Sequence, residues 1–308
     1  MPRLLVTGGS GLLGSALVRS ARREYEVSFT YHRHPVDLPG ASGLALALAM
    51  EHQTVAALLE ASKPDLIIHT AGLRSLDYCE THPEEAYRVN VEGTLRLAEA
   101  AAEREMGFVF ISTESVFDGT RGMYREDDVP NPVTIYGRTK LQAEQSVRRL
   151  LPDALIVRTS SIYGRSQYGQ SLAEFVLEEL TNGRPLEMIT DSAFSPILSD
   201  NLAEAILELV RIRRGGLYHV AGPERCSRYE FALAVARVFG YDPGLIRPVT
   251  FQEVGARFNA VRPRDLSMDV SQAQAVLRTT CLLSVDEGLK RLRSDLEKGG
   301  RRVMARYL

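Results

Sequence analysis

Tryptophan is absent from the 308 residues, and cysteine occurs only three times. Cys79, Cys226 and Cys281 are too few and too scattered for a disulfide framework or a metal-ligand spacing, which points to a reducing compartment. An excess of charge of either sign is also missing, since 37 basic residues against 39 acidic ones leave a formal net charge of −2. So balanced a chain has no global attraction to nucleic acid or to an anionic surface, and any anion site must be local. No apolar run is long enough to span a bilayer, and the opening "MPRLLVTGG" enters a strand pattern without the basic and long apolar regions of a secretory signal. The expected setting is cytoplasmic, with neither nucleic acid nor membrane as partner.

The chain is rich in short aliphatic runs: "RLLVTG", "YEVSFTY", "LALAL", "DLIIHTA", "GFVFIST" and "ALIVRTS". Helix-like segments such as "LLGSALVRSARRE" and "TKLQAEQSVRRLL" lie between most of them. Strands that are apolar almost throughout have both faces covered, and their alternation with helices predicts an α/β fold with a doubly wound parallel sheet. After about residue 164 the pattern loosens, but no low-complexity linker appears. The expected organisation is a Rossmann domain over 1–164 and a smaller lobe mainly over 165–308, with later segments returning to the sheet and a cleft between the two.

"TGGSGLLG" follows the first strand and opens the first helix. Gly8 suits a tight turn, Gly11 lets the backbone approach a pyrophosphate, and Gly14 allows close packing of helix on strand. With Leu12 and Leu13 at the helix start, where the dipole favours negative charge, they form a candidate dinucleotide cradle. The spacing G-x-x-G-x-x-G departs from the usual G-x-G-x-x-G. The second strand ends "FTYHRH", where an acidic residue would hold a free ribose 2′-hydroxyl and an arginine a 2′-phosphate. Arg33, with His32 beside it, therefore favours NADP(H), with NAD(H) as the second candidate.

In "VTIYGRTKLQAE", Tyr136 precedes Lys140 by one helical turn, so the two share a helix face. A neighbouring ammonium would lower the phenol's pKa and make Tyr136 a usable proton donor and acceptor. Alone, the spacing fits a solvated helix better than a reactive pair, and the rest of the chain must decide.

"TGGSGLLG", "HTAG", Asn90 in "VNVEGT", "ISTESVFDG" and "YGRTK" occur in the order of the extended short-chain dehydrogenase/reductase superfamily, which the chain resembles. Within it, "STESVFDG", "YGRTKLQAE", "RTSSIYG", "GLYHVAGPERCSRYEFA" and "RPRDLSMDVSQ" are similar to the dTDP-4-dehydrorhamnose reductase family over nearly the whole length. That resemblance implies an NADPH-dependent reductase of a 4-keto (deoxy)sugar nucleotide. It casts Tyr136 as the proton-transfer residue, Lys140 as holder of the nicotinamide ribose, and Thr113 as a hydrogen-bond donor to the substrate oxygen. It further implies that Asn90 helps fix the lysine, that small Ala71 and Gly72 let the cofactor lie close, and that Ser112 contacts it.

Ser161 stands where the family commonly has tryptophan near the sugar, so the pocket has lost a planar wall. Leu48 takes the place of an aspartate near the adenine, and Glu114 that of the aspartate after Thr113. Arg262 and Arg264 are candidates for the nucleotide pyrophosphate, since arginine forks suit phosphates. The acids from Asp77 to Glu85 lack a diagnostic ligand spacing and are read as a solvated helix start. The basic tail "KRLRSDLEKGGRRVMARYL", with its interleaved acids, is read as a solvated helix.

Sugar-nucleotide dehydration would require a second carboxylate where the run reads Thr113-Glu114-Ser115, so net reduction is favoured. Epimerisation, which uses the same tyrosine, remains the enzymatic alternative. The non-catalytic alternative is a cofactor-binding regulatory subunit resembling the β-subunit of methionine adenosyltransferase. A second copy of the chain is a further candidate partner.

Overall fold

The computed structural model describes residues 1–46, 50–166 and 170–298. Leu48 and the end of the basic tail lie outside them. The first half runs β1 (Arg3–Thr7), α1 (Leu12–Ala21), β2 (Glu26–Tyr31), β3 (Ala41–Ala45), α2 (His52–Ser62), β4 (Leu66–His69), α3 (Leu76–Thr81), α4 (Pro83–Tyr87), α5 (Gly93–Glu103), β5 (Gly107–Thr113), α6 (Ile135–Leu150) and β6 (Leu155–Thr159). The second half runs β7 (Ile162–Tyr163), α7 (Leu172–Thr181), β8 (Leu186–Ile189), β9 (Ala193–Phe194), β10 (Ile197–Leu198), α8 (Ser199–Arg211), β11 (Gly216–His219), β12 (Cys226–Ser227), α9 (Arg228–Phe239), β13 (Ile246–Val249), α10 (Phe251–Val254), α11 (Ser271–Val276) and α12 (Val285–Lys298).

The central sheet has seven strands in the order β11-β6-β5-β4-β1-β2-β3, every neighbouring pair parallel. The aliphatic runs make this possible, because helices cover both faces. One face packs Leu4, Val6 and Val157 against Leu17 of α1 and Ile206 of α8. The other packs Leu5, Ile67 and Phe110 against Leu58, Leu97 and Val147 of α2, α5 and α6. The strand order reverses between β1 and β4, and the crevice above such a reversal is where open α/β sheets bind ligands.

The second half is divided between two bodies. α8 and β11 complete the sheet, with Arg19 of α1 paired to Asp200 of α8 at 3.0 Å. A separate core of Tyr163, Leu177, Phe194, Phe231 and Leu289 supports the smaller lobe, which carries the short pairs β8–β13 and β9–β12. Phe231 is edge-on to Tyr163 at 5.1 Å, a favourable aromatic geometry.

Candidate active site

The glycine turn sits at the reversal point. Gly8 has φ +71°, and a Cβ there would lie 2.9 Å from the Ala71 backbone, so both conformation and space require glycine. A Cβ on Gly14 would come 2.2 Å from the Gly8 carbonyl, whereas at Gly11 it would meet only that oxygen, at 3.2 Å. Gly11 is exposed and begins α1 without a side-chain cap, so the N–H groups of the first turn, at Leu12 and Leu13, face outward unsatisfied. The Leu13 side chain itself lies in the core, which leaves its backbone as the group it can offer. Ends of β1 and β4 are tied by a 2.6 Å contact of the Thr7 hydroxyl with His69 Nδ1. Burial pulls His69 down to about 3, so the ring is neutral.

Asn90, in a π-helical turn over Arg88–Glu92, links two walls of the site. Its Oδ1 accepts from Leu73 N at 2.8 Å, and its Nδ2 donates to the Leu73 carbonyl and to Thr139 Oγ1. It thereby pins the strand-end loop holding Ala71 and Gly72 to the residue preceding Lys140, and a Cβ on Gly72 would sit 3.0 Å from Asn90 Oδ1. His32 and Arg33 are exposed immediately after β2, and the Arg33 guanidinium has no hydrogen bond or ion pair among the described residues.

Successive residues of β5 point to opposite faces. Ser112 therefore turns inward, donating to Glu144 Oε2 at 2.9 Å, and Glu144 is paired with buried Arg158 at 2.7 Å. Its hydroxyl is thus committed to the core and only its backbone can meet a cofactor. Thr113 points the other way, towards the Tyr136 phenol whose pKa it lowers, and its hydroxyl accepts from Ser115 N at 3.1 Å. α6 starts at this point because Thr134 Oγ1 caps it, accepting from Gly137 N at 3.0 Å.

The structure corrects the expected coupling of Tyr136 to Lys140. Burial pushes the phenol up to about 12; Thr113 and Arg74 oppose this, and Glu114 and Cys79 add to it. The Lys140 amine lies over the Phe110 ring at 4.0 Å, has no hydrogen-bond partner among the described residues, and is pulled by burial down to about 7 against the pull of Glu144. Shared helix face gives proximity, but desolvation outweighs it for both groups.

Arg262 and Arg264 are likewise not free. Arg262 is ion-paired with Asp77 of α3, whose other oxygen accepts from Asn259 N and Ala260 N at 2.8 and 2.9 Å, and Arg264 is paired with Asp191. Asp77 thus straps the 259–262 segment of the lobe across the cleft to the Rossmann side. Of the other acids there, Glu80 accepts from Ile135 N and Glu85 from the Tyr78 hydroxyl, so two of the supposed solvated groups are structural.

Sequence reasoning left Glu114 without a role and missed Arg228. The Glu114 carboxyl is buried near Tyr136, with Ser160, Arg228 and the Ser161 backbone each favouring its charged form. Burial pushes it up to about 8 despite these contacts. Arg228 starts α9 behind the Ser227/Glu230 capping box and lies 5.4 Å from the Phe194 ring. The box was readable in "SRYE"; which pocket the arginine enters depends on the lobe packing and was not.

The RmlD substrate binding domain family model matches residues 2–295. A probable low-salt glycan biosynthesis reductase, Agl14, from Haloferax volcanii is 34% identical over 88% of this chain and 91% of its own length. Methionine adenosyltransferase 2 subunit beta from Xenopus tropicalis is 31% identical over 89% of this chain and 82% of its own. A dTDP-4-dehydrorhamnose reductase from Bacillus anthracis, solved in complex with NADP, superposes with a TM-score of 0.84 at 27% identity, covering 96% of this chain and all 100% of that one.

Proposed function

We propose that this chain, which belongs to the RmlD substrate binding domain family, is an NAD(P)-dependent oxidoreductase that reduces a 4-keto (deoxy)sugar nucleotide, with NADP(H) preferred. The observation that carries the reading is the buried Tyr136 phenol with Thr113 acting on it at the end of β5, in a sheet whose strand-order reversal holds the glycine turn. The turn fits a dinucleotide: glycine at 8 and 14 lets the turn pack against the Ala71 backbone and the helix against the Gly8 carbonyl, Gly11 leaves its own outer side clear but for the Gly8 oxygen at 3.2 Å, and the uncapped N–H groups of Leu12 and Leu13 suit a pyrophosphate. Lys140 would hold the nicotinamide ribose, Arg33 the 2′-phosphate, and Ala71, Gly72 and the Ser112 backbone the adjoining surface. The nicotinamide supplies the hydride when bound.

Thr113 and Tyr136 together would grip the carbonyl oxygen, and Tyr136 gives it the proton as negative charge develops there. A phenol held near 12 is protonated at neutral pH, the state that reduction requires. Arg262 could reach a pyrophosphate only by leaving Asp77, and Arg264 only by leaving Asp191. Ser161 contributes its backbone to the pocket wall through Glu114.

The similarity to a methionine adenosyltransferase regulatory subunit keeps one alternative in view, and a single experiment separates them. Purified protein, NADPH and a panel of 4-keto sugar nucleotides should give cofactor oxidation matched by reduced sugar. Tyr136→Phe should bind NADPH but turn over about 10²–10⁴-fold more slowly. Sugar isomerised without net oxidation would mean an epimerase; tight NADP binding with no turnover on any substrate would favour the regulatory reading.

A further inference from the structure

The segment from the end of β13 to the "RPRD" run forms an arm that is built as a unit. Arg264 lies over the Phe251 ring at 5.4 Å, Phe251 stacks on Phe258 at 6.0 Å, and Arg262 lies over Phe258 at 4.6 Å. A column of rings and guanidinium groups holds a loop in shape without using its backbone. Both ends of the arm are anchored. At its start Thr190 N donates to the Val249 carbonyl at 2.9 Å and Phe251 N to Asp191 Oδ1 at 2.7 Å. At its end Ala193 N donates to the Arg264 carbonyl at 2.7 Å and Asp265 N to the Gly119 carbonyl at 3.0 Å.

Between those anchors the arm is joined to the Rossmann side through one carboxylate. Asp77 Oδ1 accepts from both Asn259 N and Ala260 N, and Oδ2 holds the Arg262 guanidinium. Among the described residues no other hydrogen bond or ion pair links 251–262 to 1–164; Arg257, the other engaged arginine of the arm, pairs with Glu187 of the lobe. Nor does any residue of 251–262 belong to the main apolar cores on either side. Undoing the Asp77 junction therefore frees the tip without disturbing either core, which is how a lid is hinged.

We propose that residues 251–262 are a lid over the cleft and that Asp77 is the positioning residue that latches it shut, with Arg262 committed to the latch rather than to a ligand phosphate while the lid is closed. The inference rests on the reductase reading above for what the cleft holds, a nucleotide sugar. Opening parts Asp77 from Asn259, Ala260 and Arg262, and no covalent step is involved. The ligand enters while they are apart and is retained once they rejoin.

Amide hydrogen exchange reads the latch directly in the unliganded chain. In Asp77→Ala, exchange at Asn259 and Ala260 should quicken roughly ten- to a hundredfold, the worth of a charge-assisted hydrogen bond, while Leu5 and Ile67 in the sheet keep their wild-type rates. Asp77→Asn keeps an acceptor for the two N–H groups but loses the ion pair, so it should restore part of the protection. Unchanged rates at 259 and 260, or rates raised equally in the sheet, overturn the latch. The lid is read from the release of thymidine or uridine diphosphate, whichever binds, in the presence of NADP. Asp77→Ala should speed release roughly tenfold, and Arg262→Met should add nothing in the Asp77→Ala background, because both act through one junction. Release at the wild-type rate overturns the lid, and a further acceleration on removing Arg262 returns that arginine to the ligand phosphate and overturns its place in the latch. If neither nucleoside diphosphate binds, the reductase reading falls separately, and the exchange comparison still decides the latch.

Discussion

At the scale of single residues the site is dominated by desolvation. Tyr136, Lys140, Glu114 and His69 are all displaced towards their neutral forms, with burial the leading cause for each. Such clustering of perturbed groups is typical of functional sites, where stability is given up for chemistry. Glu114 makes the cost measurable. Its folded pKa, near 8, lies above the ordinary 4.5, so between those values the unfolded chain releases a proton that the folded chain keeps. The contribution is therefore fully present below about 4.5 and is lost as pH rises towards about 8. Glu114→Gln removes the titration while Ser160, Ser161, Tyr136 and Arg228 remain around the side chain. Relative to wild type, the variant's stability in urea should rise between pH 5 and pH 8, by no more than about 1.4 kcal/mol per unit crossed. A difference that stays flat across that window would refute the burial argument.

At the scale of elements, the decisive junction is the start of α6 against the turn after β5. A Cβ on Gly137 would lie 2.0 Å from the Ser115 carbonyl, so glycine is what lets the helix approach closely enough for Tyr136 to reach Thr113. Thr134 fixes where the helix begins, and Glu80 anchors Ile135 N at 3.1 Å. These contributions are separable. Thr134→Ala should cost about 1 kcal/mol of stability, read from denaturant unfolding, because it removes only a cap. Gly137→Ala should push the helix away and lower kcat about a hundredfold, since displacement of a reacting group by about 1 Å costs that much. Equal kcat in the two variants would detach the close approach from catalysis. Aliphatic runs and the glycine turn made five of the first six strands legible in the sequence, whereas β3, at Ala41–Ala45, shares only two residues with the "LALAL" run that suggested it, because its own "ASG" carries no aliphatic pattern. A return of later segments to the sheet was expected, but "GLYHVAG" did not mark itself as the strand that pairs with β6, since a strand of four residues carries too little pattern to choose its sheet. The same limit hid Arg228 and the Asp77 strap: capping boxes and acids are local signals, while their partners are set by packing between bodies distant in sequence.

At the scale of the whole molecule, a chain with a net charge of −2 must collect an anionic cofactor by local means. Most arginines near the cleft are already engaged: Arg262 with Asp77, Arg264 with Asp191 and Arg225 with Asp265. Arg33 differs, standing exposed at the end of β2 with no ion pair or hydrogen bond among the described residues. Because it makes no hydrogen bond or ion pair among the described residues and meets Tyr78 only through its charge, its removal should leave the unliganded chain's melting temperature nearly unchanged and act mainly on the bound state. Arg33→Ala should weaken NADP(H) by roughly one to two decades, the worth of a charge-assisted hydrogen bond, and leave NAD(H) nearly untouched. The readout is the rise in melting temperature at matched cofactor concentrations, which follows the ratio of free ligand to Kd. The selective loss should also shrink as salt is raised, since an exposed guanidinium is screened beyond about 10 Å at 0.1 M. Equal losses for the two cofactors would reassign the 2′-phosphate to another group, with His32 the nearest candidate.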